Sequence, residues 1–463
     1  MSRGRRAWRR PAVRPLAAGL LVWLAAPLVA LVAAAAAEPP LLTVGDVTPT
    51  SAVVWARAAG AGEIAVELTG PDGARAAAAT IRTDRGEDFT GQARLAGLRP
   101  GTRYAVQVRA GSESVRGEFV TAPAREEAAP VSFLWSGDLG GGGFCRKLDG
   151  GYRIFRAMAR RQPDFFLFVG DTIYADRKCE GHDVVPGAAF VATTLSQFRA
   201  RHRYNREDPA VQDLFRATSV YAIWDDHEVR NDFAGSVDPL MPTGRRAFLE
   251  YWPIAPPAEE PTRLYRKFRW GQLAEIFILD TRQYRSPNTD PDGPAKTMLG
   301  AAQRRWLVDE VSTSTALWKL VVTSVTLSVP TGRPERRDSW SSANVLGGPE
   351  EGRGFASERD AILGLLRARG VKNLVVLAAD VHHAELIRHQ PTPEWSFHEF
   401  IAGPLSASLG RPRPLDEGLS PRSLFARGGV YNFGEISIEP AHLTVRIVDE
   451  EGQVLFTHTL GPE

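Results

Sequence analysis

Aspartates that directly follow apolar segments are the residues of this 463-residue sequence with the clearest chemistry. The segment Phe165–Val169 is an unbroken apolar run that ends at Gly170 and Asp171. Such a run predicts a strand buried on both faces, and a carboxylate at its end lies where open α/β sheets place their ligands. Because Gly170 carries no side chain, we expect a ligand to approach the backbone closely there.

The same pattern occurs at four other apolar segments. One aspartate alone fits a turn or a helix N-cap, but five such ends indicate a shared site. Two of the ends are followed by histidine, at His227 and at His382–His383. Carboxylate and imidazole groups at one sheet edge are typical ligands of one or two metal ions. The other four ends carry Asp138, Asp225 with Asp226, Asp280, and Asp380.

Two metal ions about 3.5–4 Å apart generate hydroxide from water and clamp the oxygens of an in-line phosphoryl displacement. Such a site needs a shared carboxylate, further oxygen or nitrogen ligands, and a proton donor for the leaving oxygen. We predict that Asp171 bridges the two ions. The other predicted ligands are Asp138, Asp226, Asp380 and His382.

Two more residues are candidates for catalysis. His227 follows a predicted ligand, where it is placed to donate a proton or to hold a phosphate oxygen; the alternative is a structural histidine. Arg282 follows Asp280 closely and is a candidate phosphate clamp, with pairing to a nearby acid as the alternative. Adjacent strand residues face opposite ways, so we expect only one of His382 and His383 to reach the metals.

The overall charge gives no argument for nucleic-acid binding. Hydrophobic residues make up 43% of the chain and charged residues 24%, which is ordinary for a soluble globular protein. The formal net charge of +2 includes six arginines in residues 1–14. Without residues 1–37 there are 50 basic and 54 acidic residues, a net charge of about −4.

The N-terminal segment is typical of a targeting signal. Residues 1–14 are arginine-rich, and the 23 residues from 15 to 37 are uncharged and end in five alanines. This pattern predicts a signal peptide over residues 1–37 and export to the periplasm, the cell surface or the medium. Arginine pairs at 5–6 and 9–10 leave a twin-arginine route open. If retained, the apolar run is long enough to span a bilayer.

The chain has two cysteines, Cys145 and Cys179. In an exported protein the default is a disulfide, which would tie together the loops that follow Asp138 and Asp171. The alternative is that one cysteine is a metal ligand.

Two structural regions follow the N-terminal segment. Residues 40–122 contain short alternating strands and Pro/Gly turns, which predicts a β sandwich. Residues 123–130 are a linker, and residues 131–463 alternate strands and helices, which predicts an α/β catalytic domain. Residues 328–356 are irregular and rich in Pro, Gly, Ser and Arg, a candidate cover for the substrate. Helical spacing occurs at 152–161, 195–206, 301–311 and 357–369.

Two resemblances can be stated from these residues. The pattern Leu98-x-Pro-Gly-Thr-x-Tyr104 resembles the fibronectin type III module. Four further blocks resemble the PhoD-like alkaline phosphatase/phosphodiesterase family of calcineurin-like metallophosphoesterases: Gly170-Asp-Thr-Ile-Tyr, Trp224-Asp-Asp-His-Glu-Val-Arg-Asn, Leu279-Asp-Thr-Arg-Gln-Tyr-Arg and Asp380-Val-His. That resemblance implies a four-layer αββα domain preceded by a β domain, export, hydrolysis of phosphate esters, and a site with iron(III) and calcium.

The resemblance adds two metal ligands and one departure. Tyr174 matches a metal-binding tyrosine of the family, and a hard phenolate donor would favour iron(III). Asn231 stands in the block where the family supplies an amide ligand. The better-known members have Ser-Cys where this chain has Gly137-Asp138, so a carboxylate replaces a thiolate. Zinc or manganese therefore stay open as alternatives.

The sequence thus predicts an exported, metal-dependent phosphohydrolase that acts on small phosphodiesters or phosphomonoesters. One alternative is a hydrolase of phospholipid or phosphoanhydride bonds, which the same metal site would serve. Another is a non-catalytic cell-surface binding protein that uses residues 40–122. The intact set of candidate ligands argues against the latter. Membrane association is expected only if residues 15–37 are retained, and the sequence does not indicate an oligomeric state.

Overall fold

The computed structural model describes residues 38–343 and 352–463, together with Ala12. Apart from Ala12, the predicted signal peptide lies outside the described residues. Residues 38–463 cluster into one compact unit. In the described part of the chain, no helix has the length and apolar character needed to cross a membrane.

Strands and helices alternate after a first all-β region. The strands are β1 (Leu41–Gly45), β2 (Ser51–Arg57), β3 (Gly62–Thr69), β4 (Arg75–Thr83), β5 (Thr90–Ala96), β6 (Arg103–Ala110), β7 (Glu113–Val120), β8 (Val131–Ser136), β9 (Phe165–Val169), β10 (Ser219–Ile223), β11 (Arg266–Trp270), β12 (Ala274–Ile278), β13 (Trp318–Val322), β14 (Gly332–Arg333), β15 (Arg336–Arg337), β16 (Leu374–Ala378), β17 (Ala384–Thr392), β18 (Trp395–Ile401), β19 (Pro421–Arg427), β20 (Asn432–Glu439), β21 (His442–Asp449) and β22 (Val454–Leu460). The helices are α1 (Ile154–Arg160), α2 (Leu195–Arg206), α3 (Pro209–Ala217), α4 (Met241–Tyr251), α5 (Gly300–Thr313) and α6 (Ala356–Ala368).

Local signals explain several of these boundaries. Helix α2 begins with a capping box, in which Thr194 and Gln197 satisfy each other's free backbone N–H groups. Helix α3 begins at Pro209 after the N-cap Asp208, whose carboxylate accepts from two backbone N–H groups. Helices α1, α2, α5 and α6 lie where helical spacing in the sequence predicts them.

The larger sheet has nine strands in the order β22-β21-β20-β8-β9-β10-β1-β2-β5. Strands β8, β9 and β10 are parallel neighbours, so their carboxyl ends meet at one edge. Every residue of β9 is buried, which confirms the prediction from its apolar run. Aromatic rings fill this core, and Phe133 stacks on Phe165 with 4.6 Å between ring centroids.

The second sheet has seven strands in the order β11-β12-β13-β16-β18-β17-β19. Its strand residues alternate between two cores, as the pleat requires. Leu320 and Val322 belong to the core shared with the larger sheet, whereas Val321 packs with residues of α5 and α6. The two sheets therefore face each other with helices outside. This arrangement confirms the predicted four-layer αββα class.

The first seven strands form a β sandwich. Strands β4-β3-β6-β7 make one sheet, and β1, β2 and β5 belong to the edge of the nine-stranded sheet. The junction is a parallel pairing of β1 with β10, in which Val44 lies opposite Ser219. The guanidinium of Arg206 is buried at the same junction, 3.9 Å from the ring centre of Trp55 and 4.7 Å from that of Trp252. No pattern in the sequence indicates this continuity between the sandwich and the α/β region.

Cys145 and Cys179 form a disulfide with 5.6 Å between their Cα atoms. Both sulfurs are thereby used, so the alternative of a cysteine metal ligand is wrong. The bridge connects the loops that follow β8 and β9. Arg201 lies behind it and donates hydrogen bonds to Cys179 Sγ (2.7 Å) and to the carbonyl of Tyr174 (2.6 Å).

Candidate active site

The ends of both sheets open onto one cavity of about 770 Å³. Asp138, Asp171 and Asp226 follow β8, β9 and β10 of the larger sheet, and Asp380 follows β16 of the second sheet. Parallel strands deliver their carboxyl ends to one edge, which is why residues far apart in sequence meet here. The cavity is lined by Asp171, Asp226, His227, Asn231, Asp380 and His382, with Arg177, Arg333, Arg336, Arg413 and Ser408 among the other residues.

Four of these site residues have left-handed backbone conformations. The φ angles are 65° at Asp138, 50° at Asp171, 70° at Asp380 and 58° at His382. Non-glycine residues adopt this region at an energetic cost, and such residues concentrate at functional sites. The sharp turn after each strand brings the side chain toward the cavity.

Asp138, Asp171 and His382 form the first group of potential ligands. One ligand atom from each residue lies within 4.8 Å of the others. Tyr174 adds its hydroxyl, which is 2.9 Å from His382 Nε2. Gly141 allows the Tyr174 ring to lie flat against the backbone, because a Cβ at Gly141 (φ 98°) would be only 2.7 Å from the ring.

Asp171 also belongs to a second group, with Asp226 and His227, whose ligand atoms again lie within 4.8 Å of one another. One carboxylate thus borders two clusters, as expected for a bridging ligand. One oxygen of Asp226 accepts a hydrogen bond from the backbone N–H of Asp232 at 2.6 Å. Its other oxygen forms no hydrogen bond.

The donor set fits metal cations. Both oxygens of Asp138, one of Asp226 and one of Asp380 are buried without a hydrogen-bond partner, which is costly unless a cation or ligand compensates. Burial raises the pKa of Asp138, Asp171 and Asp380, and neighbouring carboxylates raise it further. Hard oxygen donors with one or two nitrogens suit hard or borderline metals.

His227 is held in place by a carboxylate that the sequence did not single out. Its Nδ1 is 2.6 Å from Asp176 Oδ1, and its ring stacks on Tyr174 with 4.1 Å between centroids. Nε2 faces the cavity side, 4.0 Å from Asp226 Oδ1. Burial lowers the pKa of His227, but the Asp226 and Asp176 carboxylates outweigh that effect and raise the pKa to about 9.

The predicted phosphate clamp at Arg282 is wrong, and the alternative of an acid partner is right. The Arg282 guanidinium is fully buried. It donates to both oxygens of Asp225 (2.7 and 3.0 Å), to both oxygens of Asp338 (2.7 Å each), and to the carbonyl of Phe233. All five guanidinium N–H donors are therefore used, so none is left for a substrate.

Asp280 is a strand-end acid that belongs neither to the cavity lining nor to a potential ligand group. Its oxygens accept from the backbone N–H groups of Arg282 and Gln283, from the Gln283 side chain and from Trp224 Nε1. It therefore shapes the turn after β12, which is the simpler role that an aspartate at a strand end has.

Three other sequence interpretations are refined by the structure. Gly170 does not open a path for a ligand, because a Cβ there would be 2.5 Å from the Cβ of Asp225. Of the paired histidines, His382 lines the cavity, while His383 is fully buried and 3.0 Å from Glu385. Asn231 lies at the cavity, and its backbone N–H donates to Asp176 Oδ2 at 3.0 Å.

The sequence analysis did not identify several residues of the site. Glu228 accepts from the backbone N–H groups of Thr172 (2.6 Å) and Asp225 (2.9 Å), and so joins the loops after β9 and β10. Asp176 and Glu228 lie inside the recognised blocks or just beyond them, so their position was a usable signal. Asp338 lies in the irregular segment, where no pattern marks it.

Comparison with known proteins adds two family-model matches. The model described as PhoD-like phosphatase matches residues 139–446. The model of the PhoD-like phosphatase N-terminal domain matches residues 37–123. The first alone covers well over half of the chain.

Individual relatives agree with these matches. The chain is 27% identical to alkaline phosphatase D of Bacillus subtilis (strain 168) over 62% of its own length, and it spans 52% of the length of that relative. A solved structure of PhoD has a TM-score of 0.73 at 21% identity, covering 90% of this chain and 88% of the other. Purple acid phosphatase PPD1 from yellow lupin seeds has a TM-score of 0.63 at 12% identity, covering 92% and 74%. At these identities the structural matches support the fold.

Proposed function

Because this chain belongs to the PhoD-like phosphatase family, we propose that it is a metal-dependent hydrolase of phosphate esters. The observation that carries the proposal is the position of Asp171 in two ligand groups at one cavity. Around it, buried carboxylate oxygens lack any hydrogen-bond partner. A site that only stabilised the fold would pair these oxygens with donors from the protein.

Metal ions bound here would polarise the phosphoryl group and supply a water nucleophile at neutral pH. Asp171 is the shared ligand in this proposal. Asp138, Tyr174 and His382 would complete one group, and Asp226, Asn231 and Asp380 the other. The backbone N–H of His227 donates to Asp171 Oδ1 at 3.1 Å, which fixes the orientation of the shared carboxylate.

His227 is the proposed proton donor to the leaving oxygen. The Asp176 carboxylate accepts from Nδ1 and holds the ring, so that the other ring nitrogen can deliver a proton toward the cavity. Because Arg282 is committed to Asp225 and Asp338, it acts by holding these acids in place. Contacts to the ester must come from residues that line the cavity.

The substrate is proposed to be a small phosphodiester or phosphomonoester. A cavity of about 770 Å³ is within the range of about 300–1,000 Å³ that is usual for small-molecule sites. Phospholipid and phosphoanhydride bonds are the competing substrates. Turnover of bis-p-nitrophenyl phosphate and p-nitrophenyl phosphate, set against pyrophosphate and a lipid phosphodiester, would separate these possibilities.

Iron(III) and calcium are the proposed metals, with zinc and manganese as alternatives. The support is the family membership together with the hard oxygen donors and the phenol of Tyr174. Metal analysis of the purified protein, with turnover measured on the same sample, tests this proposal. Iron with calcium would support it, whereas activity with zinc or manganese and no iron would contradict it.

We further propose that residues 1–37 direct export and are then removed. The support is the arginine-rich start followed by a long uncharged run. N-terminal sequencing of the exported protein tests cleavage, and blocking twin-arginine export tests the route. Absence of any turnover with every metal, together with a partner that binds residues 40–122, would favour the non-catalytic alternative instead.

A further inference from the structure

Four arginines line the cavity that holds the candidate metal ligands. Arg177 comes from the loop after β9, Arg333 and Arg336 from the short hairpin β14–β15, and Arg413 from the segment before β19. We call these four residues the arginine rim. They approach the cavity from three separate segments of the chain, so no single element of secondary structure explains why they meet there.

The guanidinium groups of the rim are largely free to bind a ligand. Arg177 and Arg336 reach their nearest carboxylates only at 4.0 and 3.8 Å, and their side chains are 56% and 43% exposed. Arg413 donates one hydrogen bond, to the carbonyl of Pro330 at 3.2 Å. The exposed Arg333 side chain has no ion pair or hydrogen bond among the described residues. Arg282, by contrast, has no free donor.

The hairpin that carries two of these arginines is well anchored. Arg337 Nη1 donates to the carbonyl of Gly332 at 2.9 Å across the hairpin. The next residue, Asp338, is buried and bonded to Arg282 and Arg285. Arg333 and Arg336 are therefore presented by a rigid element, which lowers the entropic cost of binding a ligand.

Acidic residues near the rim do not cancel its charge. Asp176 already accepts from His227 and from the Asn231 backbone. Asp232 lies beside Arg336, and Glu335 is exposed at the hairpin tip. Asp338 also lines the cavity, but it accepts hydrogen bonds from the buried Arg282 and Arg285. The other carboxylates of the lining are the proposed metal ligands Asp171, Asp226 and Asp380, whose charge bound cations would neutralise. The rim is then the main source of charge that is available to a substrate.

The space beyond the metal centre extends past Arg336. A second cavity of about 310 Å³ shares Asn231, Asp232 and Arg336 with the main cavity. A substrate longer than a single phosphate ester thus has room to continue past Arg336.

We infer that the arginine rim binds a second anionic group of the substrate, so that the preferred substrates are phosphate esters with a further phosphate or carboxylate. This inference rests on the proposed function. A guanidinium fork matches both groups through paired N–H···O bonds. Binding energy at the second group would position the ester phosphate over the metal ligands.

The test compares n-propyl phosphate with propane-1,3-diol bisphosphate and 3-carboxypropyl phosphate, three alkyl esters with similar leaving groups. For the metal-loaded wild type we expect kcat/KM to be at least about tenfold higher for the two anionic esters, and the excess to shrink as salt rises from about 0.05 to about 0.3 M. Arg333→Gln and Arg413→Gln should each lower the ratio of bisphosphate to propyl ester about tenfold, the effect of a lost charge-assisted hydrogen bond. A larger ratio for the bisphosphate than for the carboxylate identifies phosphate as the second group.

Arg422→Gln is the matched control, because Arg422 is exposed on β19 and does not line the cavity. Two results would overturn the inference: equal kcat/KM for all three esters in the wild type, or an equal loss of kcat/KM for all three esters in the rim variants. Neither result would contradict the proposed hydrolase function. Failure to hydrolyse any ester with any metal would instead overturn the proposed function. Calorimetric binding of pentane-1,5-diylbisphosphonate, in which a CH2 group replaces each ester oxygen so that no hydrolysis occurs, gives an independent readout. Undiminished affinity in the Arg333→Gln/Arg413→Gln double variant would also contradict the inference.

Discussion

Two sets of buried carboxylates meet at Asp226, and they are neutralised in different ways. On one side, Asp138 and Asp171 belong to one ligand group, Asp380 lines the same cavity as Asp171, and these acids have few or no donors from the protein. On the other side, Asp225 and Asp338 share the saturated guanidinium of Arg282. We call these the metal side and the arginine side of the site.

The comparison shows how the protein keeps one part of the site rigid and leaves the other able to bind cations. Burial alone would raise the pKa of Asp338, but Arg282 and Arg285 outweigh it and lower the pKa well below its ordinary value. Asp171 has no such partner, so burial and neighbouring acids raise its pKa. Asp338 is therefore held in its charged form by the protein itself, whereas the metal side depends on a cation from outside to be both charged and stable.

The largest expected effect is on the metal side. Asp171→Asn removes the carboxylate common to both ligand groups, and we expect kcat/KM for bis-p-nitrophenyl phosphate to fall at least about 10⁴-fold, with loss of bound metal. Asp309→Asn is the control, because that surface acid is 64% exposed. Full activity in Asp171→Asn would show that the two groups do not share this ligand.

On the arginine side the expected effect is on stability. Arg282→Met leaves Asp225 and Asp338 buried without their main counter-charge, which should lower the free energy of unfolding by about 3–5 kcal/mol. Urea unfolding followed by circular dichroism measures the change. Arg305→Met, at an exposed position of α5, should stay within about 0.5 kcal/mol of the wild type. An equally small effect of Arg282→Met would contradict the role of the buried pair.

Metal removal should separate the two sides. Ions that bind only the folded protein stabilise it by about 2.7 kcal/mol at 100 times the Kd, so a chelator should lower the melting temperature of the wild type. In Asp171→Asn the melting temperature should no longer fall when chelator is added. In chelator this variant should be more stable than the wild type, because one of the crowded buried carboxyl groups is gone. In Arg282→Met the chelator should still lower the melting temperature, because the metal ligands are unchanged. A chelator effect of the same size in Asp171→Asn would place the metals elsewhere.

The metal side was largely predictable from the sequence. Parallel strands must bring their carboxyl ends to one edge, so apolar runs that end in aspartate locate Asp138, Asp171, Asp226 and Asp380 without knowledge of the rest of the fold. The prediction failed at Asp280, because a strand-end acid that shapes a turn has the same sequence pattern as one that faces a ligand.

The arginine side was not predictable, for two physical reasons. Asp338 lies 56 residues after Arg282, in a segment without periodicity, so no spacing pairs them. Burial of an arginine depends on its acid partners in space, and Arg282 therefore looked available to a phosphate. The pairing of β1 with β10 was missed for the same reason, since a parallel contact across about 175 residues leaves no local pattern.

Tyr174→Phe is expected to give the smallest effect and the sharpest view of the metal side. The change removes the hydroxyl that lies 2.9 Å from His382 Nε2 but keeps the ring stacked on His227. If the phenol is a ligand, kcat/KM should fall about tenfold, and any visible phenolate-to-iron absorption should vanish while the unfolding free energy in chelator stays unchanged. If Tyr174→Phe instead lowers the free energy of unfolding in chelator and leaves the metal affinity unchanged, Tyr174 contributes to packing and is not a ligand. The phenol would then no longer favour iron over zinc or manganese.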